Sequence, residues 1–437
     1  MSAELRQNPS GPNAGPSKTP PPGTLTAADI DASAKRIAGV VARTPLQHSD
    51  RLSALTGAEV YFKREDLQSV RSYKLRGAYN LLVQLSEREL AAGVVCSSAG
   101  NHAQGFAYAC RTLGVHGRVY VPAKTPKQKR DRIRYHGGEF IELIVGGATY
   151  DMAAEAAQAD VERTGATLVP PYDDLRTMAG QGTIAVEILE QLGSEPDLVI
   201  VPVGGGGCIS GITTYLAERT TGSAVLGVEP AGAASMMAAL TAGELVTLDH
   251  VDQFVDGAAV KRAGALPYAV MAGAGDMVSV TTVDEGAVCT AMLDLYQNEG
   301  IIAEPAGALS VAALLEAEIT PGSTVVCLIS GGNNDVSRYG EILERSLVHL
   351  GLKHYFLVDF PQEPGALRRF LDEVLGPGDD ITLFEYVKRN NRDTGEALVG
   401  IQLSSAADLD GLLARMRSSE LHVETLDPGS AAYRYLL

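Results

Sequence analysis

Cysteine is scarce in this sequence and basic charge is outweighed by acidic, and each shortage rules something out. Five cysteines occur, Cys96, Cys110, Cys208, Cys289 and Cys327. They are scattered and odd in number, with no CxxC pair, so neither a zinc site nor a disulfide framework is expected. That usage suits a reducing, cytoplasmic setting. A net charge of -17 repels phosphate backbones and anionic membrane surfaces, which removes nucleic acid and membranes from the natural partners. The stretch through Thr24 is rich in Pro, Gly, Ser and Asn and lacks an apolar core. It reads as a disordered tail over 1–24, not as a secretory signal or a membrane span. A small molecule is the partner that remains.

What is present is enough to build two or three packed units, since 437 residues with 45% hydrophobic and 20% charged side chains can bury a sizeable core. From Ala27 onward, short β-branched runs alternate with helix-like stretches. Strands are expected over 59–62, 93–97, 118–121, 140–145, 198–203, 225–228, 277–282 and 324–329. Most of these runs lack polar alternation, as strands buried on both faces do, so the fold class is α/β with an open, mostly parallel sheet over 25–341. After Glu341 the rhythm becomes strand (354–360), helix (365–375), strand (381–387), strand (397–403), helix (406–417), strand (421–426). That βαββαβ order describes a ferredoxin-like α+β module within 342–437, behind a short linker.

Four segments could carry chemistry. Lys74 follows a charge-rich run beside a strand end. A lone lysine usually marks solvated surface, but an amine at a helix start, partly desolvated and near other cations, loses basicity and becomes a Schiff-base nucleophile. The turn Ser98, Ala99, Gly100, Asn101, His102 closes an apolar strand and opens a helix. Its small residues present backbone amides to an anion such as a substrate carboxylate, although a plain capped turn would look the same. His102 reads better as a packed helix histidine than as a base. Gly204, Gly205, Gly206 and Gly207 with Cys208 also follow an apolar strand and suit a phosphate. A dinucleotide fold is disfavoured, even though Glu229 mimics its ribose carboxylate, because GxGxxG would demand glycine at Ile209 or Ser210. Ser330, Gly331, Gly332, Asn333 and Asn334 form a similar turn after 324–329. Several such turns at the carboxyl ends of buried strands are where open α/β sheets bind ligands.

Taken together, Ser-Tyr-Lys-Leu-Arg-Gly-Ala at 72–78, Ser-Ala-Gly-Asn-His at 98–102, the glycines 204–207 and Ser-Gly-Gly-Asn at 330–333 resemble the fold-type II (tryptophan synthase β-like) pyridoxal-phosphate enzymes, most nearly the biosynthetic threonine dehydratases. Supporting runs stand at 43–46, 180–185 and 304–308. The last module is similar to the ACT-like regulatory domain of that family, through Glu-Pro-Gly-Ala-Leu at 363–367 and Ile-Thr-Leu-Phe-Glu-Tyr at 381–386. The resemblance implies pyridoxal phosphate as cofactor, bound through Lys74, with Tyr73 beneath its ring where the family commonly has phenylalanine. It further implies Asn101 on the ring hydroxyl, Gly204 to Gly207 with Cys208 on the phosphate, and Ser330 at the pyridine nitrogen. Ser98 to His102 would hold the substrate carboxylate. A hydroxyl at the ring nitrogen favours elimination over transamination.

The implied reaction is dehydration of L-threonine, possibly also L-serine, to a 2-oxo acid and ammonia. It opens isoleucine biosynthesis in a homo-oligomeric enzyme regulated by isoleucine. A serine dehydratase or serine racemase would share every motif, and a silent amino-acid sensor would lack need of Lys74. The basic residues Lys124, Lys127, Lys129, Arg130, Arg132 and Arg134 are expected on one solvated helix face.

Overall fold

The computed structural model describes residues 23–386, 393–427, 430 and 433. Apart from Gly23 and Thr24, the expected tail over 1–24 lies outside the described residues, as does Val387 at the end of an expected strand. Ten strands precede the last module: β1 Leu46–His48, β2 Glu59–Arg64, β3 Val94–Ser97, β4 Gly117–Val121, β5 Ile141–Val145, β6 Thr167–Leu168, β7 Leu198–Pro202, β8 Ala224–Pro230, β9 Val278–Val283 and β10 Thr324–Ile329. The last module adds β11 Lys353–Pro361, β12 Asp380–Tyr386, β13 Thr394–Gln402 and β14 His422–Thr425.

The expected parallel strands divide between two sheets. The larger has the order β1-β2-β10-β7-β8-β9 and the smaller β5-β4-β3-β6. All pairings in both are parallel except β1, a short antiparallel edge strand on β2. β1 and β6 were not foreseen, because two or three residues carry no readable period.

Why the central strands are apolar throughout is plain from their two faces. From one face of β7 and β10, Ile200, Val325 and Cys327 pack with Leu309 and Val311 of the helix Pro305–Glu316 and Met292 of the helix Glu285–Glu299. From the other, Val199, Val201, Val326 and Leu328 meet Met178 and Ile184 of the helix Leu175–Leu192, and Ile209 and Ile212 of the helix Gly207–Arg219. Each such side chain contributes roughly 1.5–3 kcal/mol by burial, and a strand covered on both faces collects it at every position.

Close helix packing ties the two sheets together. In the helix Asn101–Leu113, a Cβ added at Gly105 would stand 2.9 Å from the Leu75 nitrogen, so only glycine lets this helix lie against the start of the helix Lys74–Leu82. A Cβ at Gly211 would likewise meet the Met178 carbonyl oxygen at 2.3 Å, which brings the helix after β7 against Leu175–Leu192. Charge ties Leu175–Leu192 to the helix Lys74–Leu82 and to β2 as well, for Arg76 and Lys63, both fully buried, each pair with Glu187, and Arg76 also pairs with Glu65. Burial opposes the charge on Glu65, but Arg76 and Lys63 outweigh it and hold that carboxyl below its ordinary range.

The helix Tyr339–His349 leads from the α/β region into β11. The last sheet is antiparallel with the order β12-β13-β11-β14, and the helices Ala366–Glu373 and Leu409–Ser418 pack on it around Phe356, Phe370, Val399 and Leu412. The βαββαβ reading is the one observed. Among the described residues no helix is long and apolar enough to cross a membrane.

Candidate active site

Three neighbouring strands of the larger sheet, β2, β10 and β7, and β3 of the smaller sheet deliver the site from their carboxyl ends. After β2 the chain reaches Arg71, which has a positive φ of 57°, a conformation costly for a side-chain-bearing residue. The bend lets the Arg71 carbonyl accept from the Gly332 nitrogen at 2.9 Å, and Ser72 pairs with Gly331 across an isolated bridge. The Tyr73 nitrogen then donates to the Ser330 carbonyl at 3.2 Å. Lys74 is thereby pinned at the first position of its helix against the turn that follows β10.

The Lys74 amine lies 5.0 Å from the Tyr73 ring centroid and donates to the Pro171 carbonyl at 3.2 Å. Burial pulls its pKa down to about 8, against the opposing pull of Cys208 and Glu304. Such an amine is a far better nucleophile and base near neutrality than a surface lysine. The Cys208 thiol, pushed up to about 12 by burial, stays neutral beside it.

The glycine loop after β7 is walled by Tyr172. A Cβ at Gly205 would fall 2.3 Å from that ring, and one at Gly207 would stand 2.8 Å from the Tyr172 backbone. Gly206 has a φ of +89° and is the N-cap of the helix Gly207–Arg219, with no capping side chain on the helix's first amides. Helix-start amides left uncapped beside a backbone-only cradle suit a phosphate. Residues 251–264 close the other side, where Ala258 packs on Gly204 and the Gly264 nitrogen donates to the Gly205 carbonyl at 3.0 Å.

Ser98, Ala99, Gly100 and Asn101 are part-exposed at the end of β3, and Gly100 caps the helix Asn101–Leu113 without a side-chain bond. The Asn101 Nδ2 donates to Glu304 Oε1 at 2.6 Å, and its Oδ1 accepts from Asn333 Nδ2 at 2.8 Å. His102 turns away: its Nε2 meets the Val169 carbonyl at 2.8 Å, and burial with the Lys74 charge brings the ring down to about 4. Its imidazole belongs to the core. The Ser330 hydroxyl is buried and donates to the Ala306 carbonyl at 3.2 Å, so meeting a ring nitrogen requires that proton to be redirected. Lys74, Tyr73, Asn101, the 204–208 loop and Ser330 are thus brought together at these strand ends, the candidate cleft, through Cys208, Glu304 and the Ser330 carbonyl.

Glu304, absent from the residues singled out above, stands among them. Its carboxyl is pushed up to about 7 by burial and the Asp256 charge, against its bond to Asn101. The disfavoured dinucleotide reading finds no support at Glu229, and one expectation changes. Glu229 takes no part in the cleft; its oxygens accept from the Met236 and Met237 nitrogens at 2.8 Å and cap the following helix. The basic helix Lys127–Gly137 is not wholly solvated, because Lys129 pairs with Asp256 and Arg132 donates to Asn333 at 3.3 Å.

Residues 37–331 match the family described as pyridoxal-phosphate dependent enzymes, and residues 344–436 match the C-terminal regulatory domain of threonine dehydratase. The chain is 84% identical over its whole length, and the relative's, to the L-threonine dehydratase biosynthetic IlvA of Mycobacterium tuberculosis. This chain belongs to the threonine dehydratase family of pyridoxal-phosphate-dependent enzymes. The same-named relative in Corynebacterium glutamicum is 61% identical, over 94% of this chain and 95% of its own. Among solved structures, the processed form of threonine deaminase isoform 2 from Solanum lycopersicum matches with a TM-score of 0.69 at 34% identity, over 77% of this chain and 99% of that one. Maize serine racemase matches with a TM-score of 0.68 at 31% identity, over 75% and 99%. The residues present fit the family's cofactor: a softened amine, a glycine loop with uncapped helix-start amides whose close walls leave no room for a Cβ, and the buried Ser72 hydroxyl, which has no hydrogen-bond partner among the described residues.

Proposed function

We propose that this enzyme deaminates L-threonine to 2-oxobutanoate and ammonia, the reaction that opens isoleucine biosynthesis, with Lys74 as its catalytic residue. The observation that carries the reading is the Lys74 amine, lowered to about 8 by burial and close enough to Cys208 of the cradle and His102 of the 98–102 turn to act on both. Pyridoxal phosphate, when bound, supplies the electron sink that acidifies the substrate's α-carbon. The amides from Gly204 to Cys208 would hold its phosphate, and Tyr73, Asn101 and Ser330 would hold and orient its ring. The amides of the Ser98–His102 turn hold the substrate carboxylate and so aim the α-proton at Lys74. The Lys74 amine, a free base in a useful fraction at neutral pH, takes that proton. The β-hydroxyl departs as water, and hydrolysis of the resulting enamine restores one water and releases ammonia, so threonine balances against 2-oxobutanoate plus ammonia.

In this reading residues 25–341 perform the chemistry and 342–437 regulate it. A hollow of about 470 Å³ in the last module, lined by Phe360, Leu367, Leu371, Phe384 and Tyr386 beside Glu363 and Arg368, suits a small apolar amino acid, and isoleucine is the proposed effector. Exposed Tyr296, Val336 and Leu343 around the connecting helix support a homo-oligomer. The test is 2-oxo acid release from L-threonine and L-serine by the protein and by Lys74→Ala. Threonine turnover should exceed serine turnover and fall by a factor of about 10³ or more in the variant, the combined scale of losing a nucleophile and a base. Undiminished turnover without Lys74 would end the reading.

A further inference from the structure

A side-chain amide presents a donor at one end and an acceptor at the other, and only its surroundings decide which way it points. Asn101 is constrained at both ends. Its nitrogen faces Glu304 Oε1 at 2.6 Å and its oxygen faces Asn333 Nδ2 at 2.8 Å. Asn333 is itself fixed, since the same Nδ2 donates to the Val70 carbonyl at 2.8 Å and its Oδ1 accepts from Arg132 at 3.3 Å. Turning the Asn101 amide over would set oxygen against the Glu304 carboxyl and nitrogen against nitrogen, losing both bonds.

Glu304 is held as firmly. It precedes Pro305 at the start of the helix Pro305–Glu316, and its nitrogen donates to the Gly331 carbonyl at 3.1 Å. A Cβ at Gly331 would stand 2.3 Å from Glu304 Oε1, so the backbone of the β10 turn backs directly onto the carboxyl. Its charged surroundings are Asp256 from residues 251–264, Lys129 from the basic helix and Lys74 from the helix after β2. Among the described residues it has no salt-bridge partner; its carboxyl accepts from the Asn101 side chain and from the Asn333 backbone.

We infer that Glu304 is a positioning residue for the cofactor ring, acting through Asn101 by fixing which end of that amide the ring hydroxyl meets. With one N–H given to Glu304, the second N–H of Asn101 Nδ2 is left for the ring oxygen. The inference rests on the reading above that Asn101 contacts the ring, and the experiment separates the two.

The purified enzyme is prepared as wild type, Asn101→Ala, Glu304→Ala, Glu304→Gln and Asn333→Asp. Each is titrated with pyridoxal phosphate, recording its Kd and the visible circular dichroism of the bound cofactor. Loss of one hydrogen bond to a charged or strongly polar group is expected to weaken binding roughly tenfold. Asn101→Ala and Glu304→Ala should share that loss and the same altered dichroism. Glu304→Gln, which can still offer an oxygen to Asn101, should restore Kd to within about threefold of wild type. Asn333→Asp, which places a carboxylate against the Asn101 oxygen, should reproduce the altered dichroism with Glu304 intact. Wild-type Kd and dichroism in Glu304→Ala, with Asn101→Ala impaired, would overturn the role of Glu304 and leave that of Asn101 standing. Wild-type behaviour in both alanine variants would remove the contact of Asn101 with the ring, and the inference with it.

Discussion

The candidate cleft at the strand ends and the hollow in the last module are built on opposite plans. Around the cleft, ionisable groups are buried in numbers: Lys63, Glu65 and Arg76 are fully enclosed, and Glu304 and His102 nearly so. Around the hollow the enclosed side chains are apolar, and the charges, such as the Arg369–Glu363 and Arg368–Asp372 pairs, sit in solvent. Burying charge costs stability unless every charge is paired, but it shifts pKa values and fixes dipoles, which is what proton transfer requires. Recognising an apolar side chain requires neither. The difference fits the proposed reading, in which the first region reacts and the second binds an effector.

The comparison can be broken most forcefully at Arg76. Replacing it with methionine keeps the volume but leaves Glu65 and half of Glu187's pairing uncompensated, so stability should fall by about 3–5 kcal/mol, read as a lowered denaturation midpoint. A loss below about 1 kcal/mol would mean that the buried network does not hold the cleft as described. In the last module, charge removal at the exposed Arg368–Asp372 pair should leave that midpoint nearly unmoved.

A smaller, chemical effect sharpens the same contrast. Burial lowers the Lys74 pKa from its ordinary value to about 8, and only the free amine captures an aldehyde. Below that pH, the rate at which cofactor-free protein takes up pyridoxal phosphate should rise about tenfold per pH unit as the base form grows, and it should level off above. A rate still climbing at pH 10 would show the amine to be solvated.

The smallest effect on catalysis is expected at the hollow. Leu371→Asp puts a charge on the apolar wall of the hollow in the last module, so threonine turnover without effector should stay within about twofold of wild type while any response to isoleucine is lost, because an apolar ligand seated there would cover an unpaired carboxylate. Retained inhibition would move the effector elsewhere.

Much of this contrast could be read from the sequence. The apolar run Thr324–Ile329 is the observed strand residue for residue, and the polar turns at 98–102, 204–208 and 330–333 all fall at strand ends facing the cleft. Local pattern carries that information because strand period and turn composition are local properties. What the sequence did not disclose depends on distant pairing. Nothing near β3 announces that it leaves the larger sheet, and nothing near Glu304 announces Asn101, 203 positions away. Its one local signal was a carboxylate directly before the helix-starting Pro305 within the 304–308 run. His102 shows the converse limit: its backbone belongs to the polar turn at the end of β3, while its ring is bonded to the Val169 carbonyl in the core.

The central claim is that the Lys74 amine is the group that captures the cofactor. The direct test is to reduce the cofactor-loaded enzyme with borohydride, digest it and locate the retained pyridoxyl group by peptide mass. A single modification at Lys74 is the result expected here, whereas a pyridoxyl group on any other lysine, with Lys74 unmodified, would contradict it.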